Sequence, residues 1–406
     1  MLDFRRVTGS SSTPSNFSCI IGGKQHTLLI CENSRCGWRE EGKLMVKITG
    51  LAAALAAAAL IASCSSVPGK GTSSVPAMTP ADPMPAAPSQ SPAAEKEMAA
   101  RYTAPFTGMP IEEQASDRPM LVMVNNHPSA RPQSGLGAAD VLYESLAEGE
   151  VTRIAALYQS AKTDVAVGPV RSIRPYYIDL GKIYDAVLIH AGGSPDAYTQ
   201  LDRQKLDHLD EITNAGQFFW RESFRKSPHN LYTGLAKLRS GTDKLGLRGE
   251  YTPVSAMPAF LPDRTDISGE PAPRVQVTFL LKSYVVSYAY DEALKQYTRY
   301  VNDEPHIDLG GSEPLTASNV VVLGAEHVVL DNEGRRDIKL TGSGPGYLFQ
   351  RNKAQPVEWR RKAVTDSFHL YRDGQEIGLY PGKTHYLIVP DKPSFEEHLT
   401  IRKEPH

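Results

Sequence analysis

The segment from Met45 to Cys64 constrains this chain more than any other stretch, because it decides in which compartment the rest must fold. It carries a positive charge at Lys47, an apolar run from Ile48 to Ile61, and the tetrapeptide Ile-Ala-Ser-Cys at 61–64. The apolar run, about fourteen residues, is shorter than the roughly twenty residues that a permanent membrane helix needs. This order of features is typical of a bacterial lipoprotein signal peptide that begins at an internal methionine.

Cys64 is therefore predicted to become the first residue of the mature protein and to carry a diacylglycerol thioether. Two or three acyl chains hold a protein firmly to a bilayer, since each buried methylene contributes about 0.8 kcal/mol. We expect a protein that is lipid-anchored at the cell membrane on its extracytoplasmic face, with the membrane as its partner through diacylglyceryl Cys64. An alanine-rich buried helix is the alternative, and it leaves the tetrapeptide and the linker behind it unexplained.

Cysteine usage and charge exclude several classes of protein. Cys19, Cys31 and Cys36 all precede Met45, so the exported part keeps only Cys64 and forms no disulfide. The pair at 31 and 36 has no second pair and no histidine cluster beside it, so neither a metal site nor a cofactor is predicted. A net charge of -2 supplies no basic field, and we predict no nucleic-acid partner.

Composition divides the chain into segments. Residues before Met45 show no helical or strand period, and we interpret them as an over-extended gene model or a disordered extension. A stretch rich in Pro, Ser and Ala follows Cys64, and such a segment buries too little surface to fold. The predicted segments are the extension at 1–44, the signal peptide at 45–63, the disordered tether at 64–101, an N-terminal domain at 102–250, a Pro-rich linker at 251–273, a C-terminal domain at 274–395 and a tail at 396–406.

In the N-terminal domain, strands alternate with helices, which predicts an α/β fold. Gly149-Glu150 separates two strand-like runs and indicates a hairpin. Ser194 suits a helix N-cap and Pro195 suits the first turn behind it. The predicted strands are Met120–Asn125, Val141–Glu148, Val151–Gln159 and Ala186–His190, and the predicted helices are Ile173–Lys182, Ser194–Leu206 and Thr233–Arg239.

The C-terminal domain consists of short β-prone runs between turn signals, which predicts a mainly antiparallel β domain. We interpret the glycine-rich run Gly342–Gly346 as a turn. The predicted fold class is therefore α+β, with an N-terminal α/β domain followed by a mainly antiparallel β domain. The predicted strands are Val275–Leu281, Val285–Tyr290, Gln296–Tyr300, Val320–Leu323, Ile338–Leu340, Tyr347–Gln350, Val357–Arg360 and Thr384–Val389.

The loop behind the strand at 186–190 is the predicted ligand-binding edge. Its glycines allow close approach, and the free amides at the start of the next helix carry partial positive charge. Arginines nearby can bind a carboxylate or a phosphate in bidentate fashion. The candidate ligand-binding residues are Arg153, Arg171, Arg174, Gly192, Gly193 and Ser194. Two alternatives stay open: the Gly-Gly turn serves connection alone, or the arginines pair structurally with Asp140, Glu144 and Glu148.

Three residues are candidates for catalysis, namely Glu144, His190 and His229, each as a general acid or base. No nucleophile or metal motif accompanies them, and a lone histidine at a strand end is more often a hydrogen-bonded core residue. The sequence therefore leaves the question of an enzyme open and leans towards none.

Several motifs in order carry a family resemblance. The chain resembles the YerB-like lipoproteins, whose two halves are called the N- and C-terminal domains of unknown function 3048. The resemblance implies a two-domain, lipid-anchored bacterial surface protein and supplies no activity. The motifs are Asn125–Pro128, Ala130–Leu136, Ala139–Glu144, Gly168–Ser172 and His190–Pro195, followed by Gly342–Gly344, Trp359, Asp373–Ile377 and Pro381–Thr384.

These observations together predict a non-catalytic binder of a cell-envelope component or an anionic ligand, with the cell wall or an envelope protein as partner. One alternative is an envelope glycan or peptide hydrolase that uses Glu144, His190 or His229. A second alternative is a scaffold for membrane protein assembly. The oligomeric state and the identity of the ligand stay open.

Overall fold

The computed structural model describes residues 18–19, 27–32, 35–40, 43–44, 102–253, 256–392 and 394–403. The predicted signal peptide, Cys64 and the tether lie outside these described residues. Among the described residues, no helix combines the length and the apolar character that crossing a membrane requires. Two compact units divide the chain, Met1–Pro85 and Ala86–His406.

The first unit contains a four-stranded antiparallel sheet in the order β1-β2-β3-β4. Its strands are β1 Ser18–Cys19, β2 Thr27–Glu32, β3 Arg35–Glu40 and β4 Lys43–Leu44. These strands form although the sequence of residues 1–44 shows no strand period. β2 has the sequence TLLICE, whose β-branched and apolar residues favour an extended backbone. The interpretation of residues 1–44 as an over-extended gene model stays a prediction.

In the second unit, the N-terminal half contains the seven predicted strands and helices, most of them with shifted bounds, and six short strands that were not predicted. Its elements are β5 Tyr102–Thr103, β6 Pro110–Ile111, β7 Met120–Asn125, β8 Val141–Glu148, β9 Val151–Tyr158, β10 Ala166–Val167, α1 Pro175–Ile183, β11 Val187–His190, α2 Pro195–Gln204, β12 His208–Asp210, β13 Phe219–Arg221, β14 Leu231–Gly234 and α3 Leu235–Lys244. Ser194 caps α2, and its Oγ accepts a hydrogen bond from the amide of Ala197 at 3.3 Å. α1 starts two residues later than predicted, because Pro175 holds Arg174 extended.

The C-terminal half is built from strands, as the sequence predicts. They are β15 Glu270–Pro271, β16 Arg274–Thr278, β17 Val285–Asp291, β18 Gln296–Val301, β19 Glu304–Pro305, β20 Thr316–Ala317, β21 Asn319–Ala325, β22 His327–Val329, β23 Arg336–Ile338, β24 Gly342–Gln350, β25 Lys353–Arg361, β26 His369–Arg372, β27 Gln375–Ile377, β28 Thr384–Pro390 and β29 Leu399–Arg402. Strands β16 to β20 and β29 form an antiparallel six-stranded sheet, called here the meander sheet. The mainly antiparallel β prediction for this half is confirmed.

A single sheet of 12 strands runs through both halves in the order β12-β11-β7-β9-β8-β28-β21-β24-β25-β26-β27, with β15 paired to β25. The halves join where β8 and β28 pair in parallel, from Val141 opposite Thr384 to Ser145 opposite Ile388. β7, β11 and β12 are parallel, and α2 crosses from β11 to β12. β9 is antiparallel to both of its neighbours, so the N-terminal sheet is mixed and the α/β prediction is confirmed only in part.

The glycine-rich run at 342–346 was predicted as a turn, and that prediction is wrong. It forms the first half of β24 and pairs with β25. A Cβ atom on Gly344 would lie 2.6 Å from Nε1 of Trp359, whose N–H donates to the carbonyl of Gly324 at 2.8 Å. The strand needs glycine here because an indole ring covers its backbone.

Candidate functional site

The predicted ligand-binding segments lie side by side. The amide of Ile173 donates to the carbonyl of Gly192 at 3.0 Å, and the amide of Ala191 donates to the carbonyl of Arg171 at 3.0 Å. A Cβ atom on Gly193 would lie 3.2 Å from Cγ2 of Ile173, so the glycine permits this close approach. The backbone therefore brings residues 171–174 and 192–194 to one edge of the sheet.

One of the predicted anion-binding amides, that of Gly192, is already bonded to a carboxylate of the chain itself. Oδ1 of buried Asp210 accepts from the amide of Gly192 at 2.7 Å and from that of Ile212 at 3.2 Å. Its Oδ2 accepts from the hydroxyls of Tyr198 at 2.8 Å and Thr213 at 2.9 Å. Because Asp210 already accepts the hydrogen bond of this loop amide, the arrangement fits a loop that connects β11 to α2 better than a loop that binds a ligand.

Two of the three predicted arginines are also committed. Nη2 of Arg153 donates to Glu148 Oε2 at 2.7 Å, and Arg174 forms an ion pair with the other oxygen of Glu148. The structural pairing that the sequence left open therefore holds for both, with Glu148 as the shared partner. Arg171 differs, because its Nε is buried without a hydrogen-bond partner and no described carboxylate lies within ion-pair distance.

His190 is fully buried at the end of β11. Its Nδ1 lies 2.9 Å from the carbonyl oxygen of Gly192 and 3.6 Å from Oδ1 of Asp210. Burial lowers the pKa of His190 to about 4, although Asp210 opposes that shift. The imidazole is thus neutral at pH 7 and enclosed, which suits a core residue and gives no support to its predicted role as an acid or base.

Glu144 is likewise enclosed, on β8, where it accepts four hydrogen bonds. Oε1 accepts from Asn126 Nδ2 at 2.9 Å, Thr152 Oγ1 at 2.7 Å and Tyr284 OH at 2.6 Å. Oε2 accepts from Nη2 of Arg299 at 2.6 Å. All four partners belong to the chain and Glu144 is buried, so this carboxylate serves a structural role and is enclosed away from a substrate.

A closed circuit of hydrogen bonds passes through this carboxylate and joins the two halves of the chain. Nε of Arg299 donates to His306 Nδ1 at 2.9 Å, and His306 Nε2 bonds Gln133 Oε1 at 2.7 Å. Nε2 of Gln133 donates to Asn126 Oδ1 at 2.9 Å, and Asn126 leads back to Glu144. We call these five residues, Asn126, Gln133, Glu144, Arg299 and His306, the polar ring.

The electrostatics of the polar ring agree with its hydrogen-bond directions. Burial lowers the pKa of His306 well below its usual value, and the charges of Arg299 and Arg131 lower it further. Burial also opposes the charge of Arg299, but Tyr288 and Glu144 raise its pKa above the ordinary value. Arg299 is therefore a cation and His306 a neutral donor towards Gln133.

A cavity of about 550 Å³ opens beside the polar ring, between the N-terminal half and the meander sheet. Its polar lining includes Asn126, Thr152, Tyr284 and His306. The apolar lining includes Pro128, Pro132, Leu281, Val301 and Ile307. This combination of apolar walls and a few convergent polar groups is typical of small-molecule sites.

Arg131 is the one arginine or lysine that lines the cavity, and it has no counter-ion among the described residues. Its guanidinium carbon lies 4.9 Å from the centre of the Tyr284 ring, in a cation–π contact. Its Nε is buried and has no hydrogen-bond partner. A half-buried cation without an acceptor is an arrangement that an anionic ligand group can complete.

The third catalytic candidate, His229, lies apart from Glu144, on the other side of the end of β7. Nδ1 of His229 is 2.9 Å from Nδ2 of Asn125, and its ring stacks on that of His127 with centroids 4.6 Å apart. Partial burial lowers the pKa of His229, and His127 and Arg171 lower it further. Asn125 is thus hydrogen-bonded to His229, whereas the neighbouring Asn126 is part of the polar ring.

Sequence reasoning missed most of the residues that surround the cavity. Asn126, Arg131 and Gln133 lie in motifs quoted for the family resemblance, which could have marked them but gave them no role. Arg299 and His306 stand in an ordinary β-prone stretch with no local signature. Among the described residues, no group of three or more His, Cys, Asp or Glu side chains is placed to hold a metal ion.

Comparisons with known proteins agree with the resemblance. The models described as "Protein of unknown function (DUF3048)", N-terminal and C-terminal domains, match residues 106–248 and 275–386. A Bacillus subtilis protein named "Putative lipoprotein YerB" is 36% identical over 298 residues, which are 73% of this chain and 88% of the relative. The crystal structure of YerB protein from Bacillus subtilis has a TM-score of 0.67 at 34% identity and covers 75% of this chain and 100% of its own.

Proposed function

The chain belongs to the DUF3048 family, and from this premise we propose that it is a lipid-anchored extracytoplasmic protein that binds an anionic envelope ligand in the cavity. The name of its relative supports a lipoprotein, and the segment at 45–64 supports Cys64 as the anchored residue. The observation that carries the binding role is the cation of Arg131, unpaired on the wall of a cavity of about 550 Å³. Ligand pockets commonly measure about 300–1,000 Å³.

The lining of the cavity limits the charge of its ligand. Arg131 offers one site for a carboxylate or phosphate, and Tyr284 beneath it offers a flat apolar surface. Glu150 and Glu304 also line the cavity and repel a second negative charge. We therefore propose a ligand with a single anionic group, alone or together with an amine, such as a peptide fragment of cell-wall material.

We do not extend the proposal to hydrolysis. Glu144 and His190 are buried and bonded within the protein, so neither reaches a substrate in the cavity. Non-catalytic binding needs only the cavity and its free cation.

The test of the cavity is calorimetric titration of the full-length, detergent-solubilised protein with soluble cell-wall peptide fragments. Arg131→Ala removes a charged hydrogen bond of about 1.5–3 kcal/mol, so affinity should fall roughly tenfold to a hundredfold. Arg203→Ala is the matched control, because Arg203 is an exposed arginine on α2. Equal affinity of wild type and Arg131→Ala would reject the cavity as the binding site.

The anchor is tested separately, by labelling cells with radioactive palmitate. The wild-type protein should carry the label and sediment with membranes, whereas Cys64→Ser should carry none and move to the soluble fraction. A Cys64→Ser protein that stays fully membrane-bound would contradict the proposed anchor.

A further inference from the structure

A second cluster of cationic and imidazole groups lies outside the cavity, where three loop segments meet. The amide of Asn125 donates to the carbonyl of Pro169 at 2.8 Å, and the amide of Arg171 donates to the carbonyl of Met123 at 2.9 Å. The amide of Val170 donates to the carbonyl of Leu231 at 2.7 Å. These bonds hold the segments around 127, 171 and 229 beside one another at the end of β7.

The two histidines of this cluster have the same proton arrangement. Nδ1 of His127 accepts from the amide of Ser129 at 3.1 Å. The Oδ1 atom of Asn125 accepts from the amide of His127 at 3.0 Å, which directs its Nδ2 towards Nδ1 of His229 at 2.9 Å. Since both Nδ1 atoms accept, each Nε2 carries the proton of the neutral ring. Neither Nε2 has a hydrogen-bond partner among the described residues.

The charges around these rings are positive and uncompensated. Arg171 adds a guanidinium whose Nε is buried without a partner. Arg225 lies near His229 and is held by the carbonyls of Ala130 and Pro132. The pKa of His229 is lowered by burial and then by His127, Arg171 and Arg225. The acidic residue of the same loop, Glu222, is bonded to Trp220 Nε1 at 2.6 Å.

We propose that His127, His229 and Arg171 form a second anion-binding site, separate from the cavity, that takes a phosphate group. Two imidazole N–H groups and a guanidinium are donors without acceptors, and a phosphate oxyanion supplies several acceptor oxygens at once. The stacked rings, 4.6 Å apart and inclined by 17°, present a half-buried surface that needs no rearrangement to bind. The source of the phosphate is either a free phosphate compound or a phospholipid headgroup.

The experiment uses the full-length, detergent-solubilised protein with inorganic phosphate as the first probe. We expect the imidazole NMR signals of His127 and His229 to shift on titration in the wild type. Phosphate affinity should fall at least tenfold in Arg171→Ala and in His229→Ala, whereas Arg203→Ala should bind like the wild type. The wild-type NMR readout keeps the test valid if a variant fails to fold.

The second arm distinguishes the two sources of phosphate. Vesicles of phosphatidylcholine with and without phosphatidylglycerol are offered to the same proteins, reconstituted through their own anchor in nanodiscs of phosphatidylcholine. Binding of inorganic phosphate supports a soluble ligand, and binding of phosphatidylglycerol vesicles alone supports a headgroup, provided that both variants lose it. If neither probe shifts the imidazole signals, or if both variants bind like the wild type, the second site is refuted.

Discussion

The loop at 191–194 and the cavity beside the polar ring both lie at strand ends rich in hydrogen-bond donors, and they differ in what receives those donors. In the loop, the amide of Gly192 is bonded to Asp210. At the cavity, Arg131 lies against Tyr284 with no acceptor for its buried Nε. The comparison teaches that a donor-rich strand end indicates a binding site only when the chain itself leaves the donors unfilled.

The largest expected effect concerns the polar ring, which supports the cavity side of this comparison. Arg299→Met leaves Glu144 buried without its cation, and breaking a buried ion pair in this way costs about 3–5 kcal/mol of unfolding free energy. Urea denaturation measures the loss. The double variant Arg299→Met with Glu144→Gln should recover part of it, because the stranded charge is removed. A single-variant loss below about 1 kcal/mol would mean that Glu144 is not truly enclosed.

A pH effect of about 3 kcal/mol is expected on the loop side, from His190. Its pKa is about 4 in the folded protein against 6.5 unfolded, so the unfolded chain binds more protons between these values. This contribution to stability is complete above pH 6.5 and is lost as the pH falls towards 4. Denaturation at pH 7 and pH 4 should show a shallower pH dependence in His190→Gln than in the wild type. Parallel curves would contradict the prediction.

Asp210→Ala should convert the loop into the anion-binding site that the sequence predicted. Removing the carboxylate leaves the amide of Gly192 without its partner and costs roughly 2 kcal/mol. Added sulfate can then bind the vacated amides of Gly192 and Ile212, so it should raise the melting temperature of the variant more than that of the wild type. Equal shifts in both proteins would show that the loop does not accept anions even when it is vacant.

The smallest expected effect separates the free arginine from the paired ones. Arg131→Ala loses only a stacking contact and should cost about 0.5 kcal/mol. Arg174→Ala breaks an ion pair with partly exposed Glu148 and should cost about 1 kcal/mol. Chemical denaturation of both variants under the same conditions measures the difference. The reverse order would indicate that Arg131 has a structural partner.

Much of the local structure followed from the sequence because it depends on neighbouring residues. The strands at 120–125 and 141–148 were predicted with their observed bounds, and so was the Ser194 cap. The predicted helix at Thr233 was placed too early, since Thr233 belongs to β14 and pairs with Phe219. That error came from a contact between residues distant in sequence, which no local pattern reveals.

The candidate site was predictable only in part, for a similar reason. Arginines and glycines near 171 and 192 were recognised by type, and they do meet at one edge. Which of them are free depends on whether a carboxylate elsewhere in the chain reaches them. Glu148 pairs with Arg153 and Arg174, and Asp210 accepts a hydrogen bond from the amide of Gly192. Arg171 and Arg131 have no such partner among the described residues.

The sequence by itself determined the family, the β-rich C-terminal half and the expectation of a lipid anchor, because each is written in contiguous residues. Only the tertiary structure decided that one sheet unites the two halves through β8 and β28. It also decided that Glu144 is a buried structural carboxylate and that Arg131 faces a cavity. Burial and pairing arise between residues that are far apart along the chain. Whether a charged side chain is paired or free is therefore decided only when the fold brings these residues together.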